Sequence, residues 1–387
     1  MLKSKVGYSK LEDAFEAGVE TAKKASEGLN PKFALLFNSV GYNQEKFIEG
    51  VKSILPNTDI VGCTTSAGIL VPDGYMIDET GTAEMLTFDD DDMVVASYGM
   101  PKKKSARETG REVALKALEK AGLDYAPDYF FMSASPNEEE EYIKGIQDVI
   151  GRVPCFGGSA ADNTVEGKWA IFYNDTIFNE GVVASFIYTG KDIATVYTGA
   201  YNETKDMGII TKLNDKRILA EIDGEPAVEI YKKWRKLSDE EVSGNNLLVT
   251  TITSPLGVKD RLGNLTAIRH PMNGNEDKSM NIGANLAVGT TIIRMEATVD
   301  ELIDSTGNTL KELKKKCPNA GAYLLVHCGG RRLGIGDRMN EVYEQLKKEA
   351  GNVPFITAFT FGEYGYTDDD QTNTTGGLML SFTAFEK

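Results

Sequence analysis

The sequence predicts an α/β fold in which duplicated β-α-β-loop-β-β units form mixed sheets with helices on their outer faces, arranged as two domains. Three observations predict it. Residues 34–62 are matched by residues 129–157 through a strand, a helix and a glycine turn. A third, looser copy lies at about 320–387. Within each copy, a short apolar run precedes a helix with one apolar face. Repeats bury one another's apolar faces, so they determine the architecture.

Each unit is predicted to begin with a buried strand. The apolar run Ala34–Phe37 is matched by Tyr129–Met132, and Tyr323–His327 opens the third copy. A short, continuously apolar run between polar turns is typical of a central strand that is covered on both faces.

A helix follows each of these strands. Residues 47–55 are matched by residues 142–150, and both segments repeat apolar residues at the helical period. The pattern predicts that each helix packs on the sheet, with Val51 and Ile146 in equivalent core positions. Residues 339–350 are the corresponding helix of the third copy.

Two further strands are predicted after each glycine turn. They lie at 81–88, 93–99, 181–188 and 193–201. The first two units, about 34–100 and 129–201, then form a domain at 1–204. The third unit belongs to a domain at 205–387, in which the β-branched run Leu247–Ile252 predicts another strand.

Composition excludes several classes of function. The chain has 387 residues and a net charge of −16, from 42 basic and 58 acidic residues, which disfavours binding to nucleic acid or anionic membranes. No N-terminal apolar segment or membrane-spanning run is present, so a cytoplasmic protein is expected. The four cysteines are too scattered for a zinc motif or a disulfide framework, and neither histidine has ligands at metal spacing. No metal and no cofactor are therefore expected.

The glycine turns are the main candidates for a binding site. Gly62–Gly68, Gly157–Asp162 and Phe361–Gly365 combine flexible backbone with short polar side chains, and such loops can hold a carboxylate or phosphate on their N–H groups. Tight turns that need positive φ at glycine would look the same. The candidate ligand-binding residues from these turns are Cys63, Thr64, Thr65, Ser66, Gly157, Gly158, Ser159, Asp162, Gly362 and Glu363.

Charged and polar residues near strand ends add further candidates. Arg331 and Arg332 follow a strand end, where a guanidinium can meet a ligand carboxylate, or can pair with Asp337 instead. Glu363 can accept an ammonium group or tie down its own loop. The remaining candidates are Arg269, Cys328, His270, which is also suited to capping its turn, and Asn373, which is also suited to an Asx turn.

These motifs resemble the FIST family of sensory proteins, with its N-terminal and C-terminal FIST regions. The resemblance rests on residues 61–69, 155–162, 222–231, 268–271, 327–331 and 361–363, in the family's order. It implies a cytosolic protein that binds small molecules such as amino acids. The acidic-isoleucine pair that usually follows each glycine turn is replaced here by Gly68-Ile69 and Glu363-Tyr364, so the ligand cannot be carried over.

Three functions are compatible with these observations. The first is a cytosolic sensor that binds a small ligand, such as an amino acid or related carboxylate, in a cleft lined by the glycine turns and signals through a separate protein. The second is a hydrolase or transferase that uses Cys63 or Cys328 as nucleophile. The third, known for some relatives, is a haem-based gas sensor.

Overall fold

The computed structural model describes residues 1–78, 80–259, 263, 265–367 and 372–387. Its mixed sheets, with helices packed on them, confirm the predicted α/β class. Most of the chain forms three units with the same order of elements. Each unit has a strand, a helix, a strand, a second helix, a third strand, a hairpin and a last strand. The third unit also carries an insertion at residues 202–297.

The first unit spans residues 3–89. Its elements are β1 (Lys3–Ser9), α1 (Ala14–Ser26), β2 (Phe33–Ser39), α2 (Gln44–Ile54), β3 (Asp59–Thr65), the hairpin strands β4 (Ile69–Val71) and β5 (Gly74–Met76), and β6 (Ala83–Asp89).

The second unit spans residues 94–188. Its elements are β7 (Val94–Pro101), α3 (Ala106–Ala121), β8 (Tyr129–Ala134), α4 (Glu139–Ile150), β9 (Cys155–Gly158), the hairpin strands β10 (Ile171–Tyr173) and β11 (Thr176–Phe178), and β12 (Gly181–Tyr188).

The third unit begins at residue 193 and resumes after the insertion. The insertion contains β14 (Asn202–Asp215), β15 (Ile218–Ile222), β16 (Glu225–Pro226), α5 (Ala227–Arg235), α6 (Asn246–Thr251), β17 (Leu256–Lys259), β18 (Leu265–Arg269), β19 (Pro271–Gly274), β20 (Met280–Ile282) and β21 (Thr291–Glu296). The unit itself contains β13 (Ile193–Thr198), α7 (Val299–Lys316), β22 (Ala320–Cys328), α8 (Gly329–Ile335), α9 (Met339–Ala350), β23 (Phe355–Ile356), β24 (Phe359–Thr360), β25 (Glu363–Thr367), β26 (Thr372–Gly376) and β27 (Leu380–Glu386).

The three units build their sheets in the same way. The strand orders are β1-β6-β2-β3, β7-β12-β8-β9 and β13-β27-β22-β23. We predicted the strands at 93–99 and 193–201 as the last strands of the first and second units. In the structure β7 pairs with β12 and β13 pairs with β27, so each of these strands opens the next unit instead.

Hairpins link the sheets in a cycle. The β10–β11 hairpin of the second unit pairs with β3 of the first, and the β25–β26 hairpin of the third unit pairs with β9 of the second. The β4–β5 hairpin of the first unit closes the cycle through a bridge between Leu70 and Thr357. One edge of each unit sheet is therefore covered by a neighbouring unit, which protects that edge from intermolecular pairing.

The predicted match between the first two units is wrong by one residue in strands β2 and β8. A Cβ at Gly62 would lie 1.7 Å from the Leu36 carbonyl oxygen, and one at Gly157 would lie 2.0 Å from that of Met132. Leu36 is thus equivalent to Met132, and not to Phe131 as the sequence match implied. Phe131 instead faces the central core. The connection to the helix is one residue shorter in the second unit, and a one-residue shift moves side chains to the opposite face.

The helix pairs cross at glycines in the first two units. A Cβ at Gly50 would lie 2.1 Å from the Phe15 carbonyl oxygen, and one at Gly145 would lie 2.1 Å from that of Arg107. In the third unit the corresponding helix carries Gln345, whose Oε1 lies 2.4 Å from the position of a Cβ on Gly307. Only in the first two units can the two helices therefore pack with their backbones in contact.

The insertion contains one element that we predicted wrongly. The run Leu247–Ile252 was expected to be a strand, but Asn246–Thr251 forms helix α6. The Thr251 hydroxyl donates to the Leu247 carbonyl oxygen at 2.9 Å and to that of Pro271 at 2.7 Å. The first contact lies within the helix, and the second holds the helix on β19, so tertiary contacts override the β-propensity of the run.

The inner faces of the three unit sheets pack together at the centre of the molecule. Aromatic rings from all three sheets meet there: Phe131 lies 6.5 Å from Phe37 and 5.9 Å from Phe156, and Phe385 lies 5.6 Å from Phe156 (ring centroids). The helices cover the outer faces, where Val51 and Ile146 are fully buried in two equivalent clusters.

Replacing Ile146 or Val51 by alanine should lower the free energy of unfolding by about 2–4 kcal/mol, because each change leaves a cavity under a buried helix. Denaturant titration measures this loss. Leu115 on α3 is 57% exposed, so Leu115→Ala serves as the control and should cost about 0.5 kcal/mol or less. A loss of that small size at Ile146 would show that the helix face is not packed as described.

Candidate functional site

A cavity of about 80 Å³ lies where the glycine turns of the three units meet the insertion. Its lining residues are Ser66, Asn163, Val165, Leu248, His270, Met272, Gly283, Cys328, Gly329, Gly330, Arg332, Leu333, Phe361 and Gly377. It adjoins an outer cleft of about 690 Å³, with which it shares Asn163, Val165, Leu248, Met272 and Leu333. The first and third predicted turns contribute Ser66 and Phe361 to this lining, whereas the second contributes none of residues 157–162 and is followed by the lining residues Asn163 and Val165.

The end of β22 and the start of α8 form one wall. A Cβ at Gly329 would lie 3.1 Å from the Ser66 Cβ, and one at Gly330 would lie 2.9 Å from the Leu378 Cδ2 and 3.6 Å from the His270 Cε1. Larger residues at these two positions would push into their neighbours. The two glycines thus allow Ser66 and His270 to lie on opposite sides of one narrow space.

His270, which comes from the insertion, is a neutral side chain that lies against this wall. Its Nε2 lies 3.0 Å from the Leu248 carbonyl oxygen, so Nε2 carries the proton and Nδ1 remains an acceptor. Burial lowers the pKa of the imidazole to about 4. At neutral pH this histidine therefore contributes hydrogen bonding without charge.

Arg332 is the cation of the cavity. Its Nη1 donates to the Tyr75 hydroxyl at 3.3 Å, and its buried Nε has no partner. The predicted ion pair with Asp337 does not form, and no described carboxylate pairs with Arg332. An unpaired guanidinium in a cavity is suited to a carboxylate or another anion.

Arg331 does not belong to the cavity. It is fully buried, and its Nη2 donates to the Leu302 carbonyl oxygen at 2.9 Å and to the Ser305 hydroxyl at 2.6 Å. Adjacent residues on a helix point in directions about 100° apart. Arg331 therefore anchors α8 to α7, and Arg332 reaches the cavity.

The second glycine turn contains an anion nest, but the protein fills it. The Asp162 carboxylate accepts hydrogen bonds from the backbone N–H groups of Thr164 (3.0 Å), Glu166 (3.0 Å) and Lys168 (2.9 Å). Within this loop Val165 has a φ of 59°, which is unfavourable for a β-branched residue. Asp162 is thus a structural residue that holds Asn163 and Val165 at the cavity.

The other predicted residues of the first two turns are also structural. Cys63, Thr64 and Thr65 lie in β3, Gly157 and Gly158 lie in β9, and all five are buried. Thr64 donates to the Ala161 carbonyl oxygen at 2.8 Å, which joins two units. Ser159 donates to a Glu139 carboxylate oxygen at 2.8 Å. Of these turn residues, only Ser66 lines the cavity.

Arg269, Asn373, Gly362 and Glu363 lie outside the cavity lining. Arg269 donates to three backbone carbonyl oxygens, those of Ile268, Asn285 and Thr375. Asn373 accepts from the Cys155 N–H at 2.9 Å and donates to the Val153 carbonyl oxygen at 2.8 Å, so it ties β26 to the second unit and is not an Asx turn. A Cβ at Gly362 would lie 2.8 Å from the Ser159 Oγ.

Glu363 ties down its own loop, which is one of the two roles that the sequence suggests for it. Its carboxyl group accepts from the Thr360 hydroxyl at 2.9 Å and from the Met379 N–H at 3.0 Å. Burial raises the pKa of this group to about 8, with the two hydrogen bonds opposing the shift. Glu363 is therefore a buried and largely protonated acid beside Cys328, and not an acceptor for a ligand ammonium.

Sequence reasoning missed most of the apolar lining. Leu248, Met272, Leu333 and Phe361 come from distant segments, and none carries a chemical signal. It also missed Arg217, which lines the outer cleft. Arg217 Nη2 donates to Glu139 and to Glu140, both at the start of α4, so it joins the insertion to the second unit.

Two features are absent from the described residues. Within the described parts of the chain, no group of three or more His, Cys, Asp or Glu side chains is arranged to hold a metal ion. No helix in those parts is long and apolar enough to cross a membrane.

Comparison with known proteins identifies two family models that together span most of the sequence. The FIST N domain matches residues 32–225 and the FIST C domain matches residues 227–366. No curated protein sequence matches. Among solved structures, cyanuric acid hydrolase from A. caulinodans aligns over 100% of both chains with 9% identity and a TM-score of 0.40. Phosphoribosylformylglycinamidine synthase II from Thermotoga maritima aligns over 99% of this chain and 72% of its own, with 8% identity and a TM-score of 0.24.

Glu363→Gln should make stability less dependent on pH. The pKa of Glu363 is about 8 in the folded protein against 4.5 for an exposed glutamate, so the acid binds its proton more tightly when folded. The contribution of Glu363 to the free energy of unfolding is complete below about pH 4.5 and is lost as the pH rises to about 8. The loss is up to about 1.4 kcal/mol per pH unit. Denaturant titration of both proteins across this window measures the difference. A constant difference between them would contradict a buried, protonated Glu363.

Proposed function

The chain belongs to the FIST family, whose domains are known in signal-transduction sensors, and on this basis we propose that it binds a small carboxylate ligand in the cavity. Amino acids and related carboxylic acids are the proposed ligand class. The single observation that carries the proposal is Arg332, which lines the cavity and whose guanidinium has no carboxylate partner among the described residues. In a chain of net charge −16, an unpaired arginine in a cavity is a specific feature.

The other lining groups suit the rest of such a ligand. Ser66 and neutral His270 can hydrogen-bond to an uncharged or amine group, whereas Leu248, Met272 and Phe361 supply apolar contact for a side chain. Among the described residues, none that lines the cavity has a carboxylate that would repel an anion. The combination favours a ligand with one anionic end and one small apolar part.

The position of the cavity supports a role in signalling. The three units contribute Ser66, Asn163 and Arg332, and the insertion contributes Leu248 and His270. A ligand held between these walls would stabilise one arrangement of the insertion relative to the units. We infer that a separate signalling protein reads this arrangement. The net negative charge argues against nucleic acid as that partner.

The thiols are poorly suited to the nucleophilic alternative. Burial raises the pKa of Cys63 to about 12 and also raises that of Cys328, where Glu363 adds to the effect. A thiol must ionise to act as a nucleophile, so both are inactive in this state. We therefore favour a binding protein over a cysteine-dependent enzyme.

The histidines are poorly suited to haem. His270 keeps Nδ1 as an acceptor, but the cavity that it lines has a volume of only about 80 Å³. His327 is fully buried and does not line this cavity. An axial ligand needs a free ring nitrogen that faces an open space. We propose that the resident ligand is not a haem.

Arg332→Lys should weaken binding about tenfold to a hundredfold although it keeps the charge, because an ammonium cannot reproduce two parallel N–H bonds to a carboxylate. Calorimetric titration with the proteinogenic amino acids and their 2-oxo acids measures this change. Arg152→Lys is the matched control, since Arg152 is exposed and outside the cavity. If Arg332→Lys binds every recognised ligand as tightly as wild type, the anion does not lie at Arg332.

Thiol labelling separates the two classes of function. A maleimide probe at neutral pH should modify Cys63 and Cys328 slowly in the folded protein and rapidly after denaturation, since both thiols are buried and protonated. Mass spectrometry of the digested protein locates the modified residue. Rapid labelling of Cys328 in the native protein would support the cysteine-dependent enzyme.

A further inference from the structure

The outer cleft is much larger than the inner cavity and differs from it in chemistry. Its volume is about 690 Å³, against about 80 Å³ for the inner cavity. Pockets for ligands well above the size of one amino acid occupy roughly 300–1,000 Å³. The two spaces share five lining residues, so one elongated molecule can occupy both.

Asparagine side chains dominate the polar lining of the outer cleft. They are Asn137, Asn163, Asn245, Asn273 and Asn281. Asn137 and Asn245 form no side-chain hydrogen bonds within the described chain. Asn245 is the residue before α6, and its side chain does not cap the helix. Asn163 uses only its oxygen, which accepts from the Ala67 N–H at 2.9 Å. Asn273 donates to the Asn275 side chain, and Asn281 accepts from it. The wholly free amides are therefore those of Asn137 and Asn245, whereas Asn163, Asn273 and Asn281 each keep one free group.

Each free amide offers a donor and an acceptor in one plane, which matches the N–H and C=O of a peptide unit. The rim supplies the apolar counterpart. Val165, Val249 and Leu333 are 46%, 61% and 48% exposed, respectively, and come from three segments that surround the cleft. A surface with both features is suited to an extended chain that carries side chains.

We propose that the two spaces together bind the C-terminal end of a short peptide. The terminal carboxylate lies at Arg332 in the inner cavity, the last side chain contacts Met272 and Leu248, and the preceding peptide units lie along the asparagines of the outer cleft. An extended residue spans about 3.3 Å, so two or three residues lead from the cavity into the cleft. This inference rests on the proposed carboxylate site and extends it from a free amino acid to a peptide.

Calorimetric titration of the full chain with L-alanine, tri-alanine and tri-alanine amide tests the proposal. Alanine is chosen because its side chain is small enough for the inner cavity. Tri-alanine should bind about tenfold tighter than alanine, since the added peptide units gain hydrogen bonds in the cleft. Tri-alanine amide should bind about tenfold weaker than tri-alanine, because it cannot pair with Arg332.

Two variants test the cleft without disturbing the fold. Asn245→Ala removes a side chain that has no hydrogen bond, and Asn137→Gly is tolerated because residue 137 has a φ of 89°. Each should weaken tri-alanine binding about threefold to tenfold and leave alanine binding unchanged. Asn57→Ala, at an exposed turn outside the cleft, is the control and should change neither.

The outcomes separate this proposal from the one on which it rests. If alanine binds as tightly as tri-alanine, or if the cleft variants behave like Asn57→Ala, the peptide proposal is wrong and the carboxylate site stands. If tri-alanine and its amide bind equally, the carboxylate is not at Arg332 and both proposals fail. If neither these probes nor any carboxylate of the amino-acid panel binds, both are likewise overturned.

Discussion

The cyclic pairing of hairpins between the three units is the constraint on which the rest of the structure depends. Each sheet ends in a strand whose free edge is covered by the hairpin of the next unit. The hairpins follow directly from the turns at Ser66, Asn163 and Phe361, so the pairing brings these turns together at one end of the molecule. The cavity is therefore a consequence of how the sheets are closed.

The third unit has diverged from the other two to build the site. Helices α1 and α2, and likewise α3 and α4, meet through glycines at backbone distance. The third pair is separated by Gln345, and an additional helix, α8, follows β22. This helix carries Arg332 into the cavity while Arg331 holds it to α7. The insertion after β13 then covers the opening. The first two units, which are built alike, form the framework of the site, and the third unit, which differs from them, supplies Arg332.

Buried charged groups around the site are satisfied mainly by backbone atoms. Arg269 and Arg331 donate to carbonyl oxygens, and the Glu363 carboxyl group accepts from the Met379 N–H. Burial works against the charged form of each group, lowering the pKa of the arginines and raising that of Glu363. Such bonds fix the loops around the cavity with geometric precision, because a buried donor without an acceptor is costly. Arg332 differs from Arg269 and Arg331 in lining the cavity, and its Nη1 donates to the Tyr75 hydroxyl and not to a backbone carbonyl oxygen.

The sequence by itself determined the α/β class, the duplicated units and the helix faces at Val51 and Ile146, because apolar periodicity directly reports which side of an element is buried. It also located the glycine turns, since residues with unusual backbone freedom are visible in any sequence. The family was evident from the same turns and the motifs around them.

Only the tertiary structure decided what each turn residue does. Sequence spacing could not distinguish Arg331 from Arg332, because their directions depend on where α8 starts and what it packs against. It could not show that Asp162 fills the nest of its own loop, or that Glu363 is bonded to Met379, since both contacts require a folded neighbour. The one-residue shift between β2 and β8 and the helix at Asn246–Thr251 were hidden for the same reason. Local patterns specify which surfaces are apolar, whereas a site is formed by side chains that the fold brings together from distant parts of the chain.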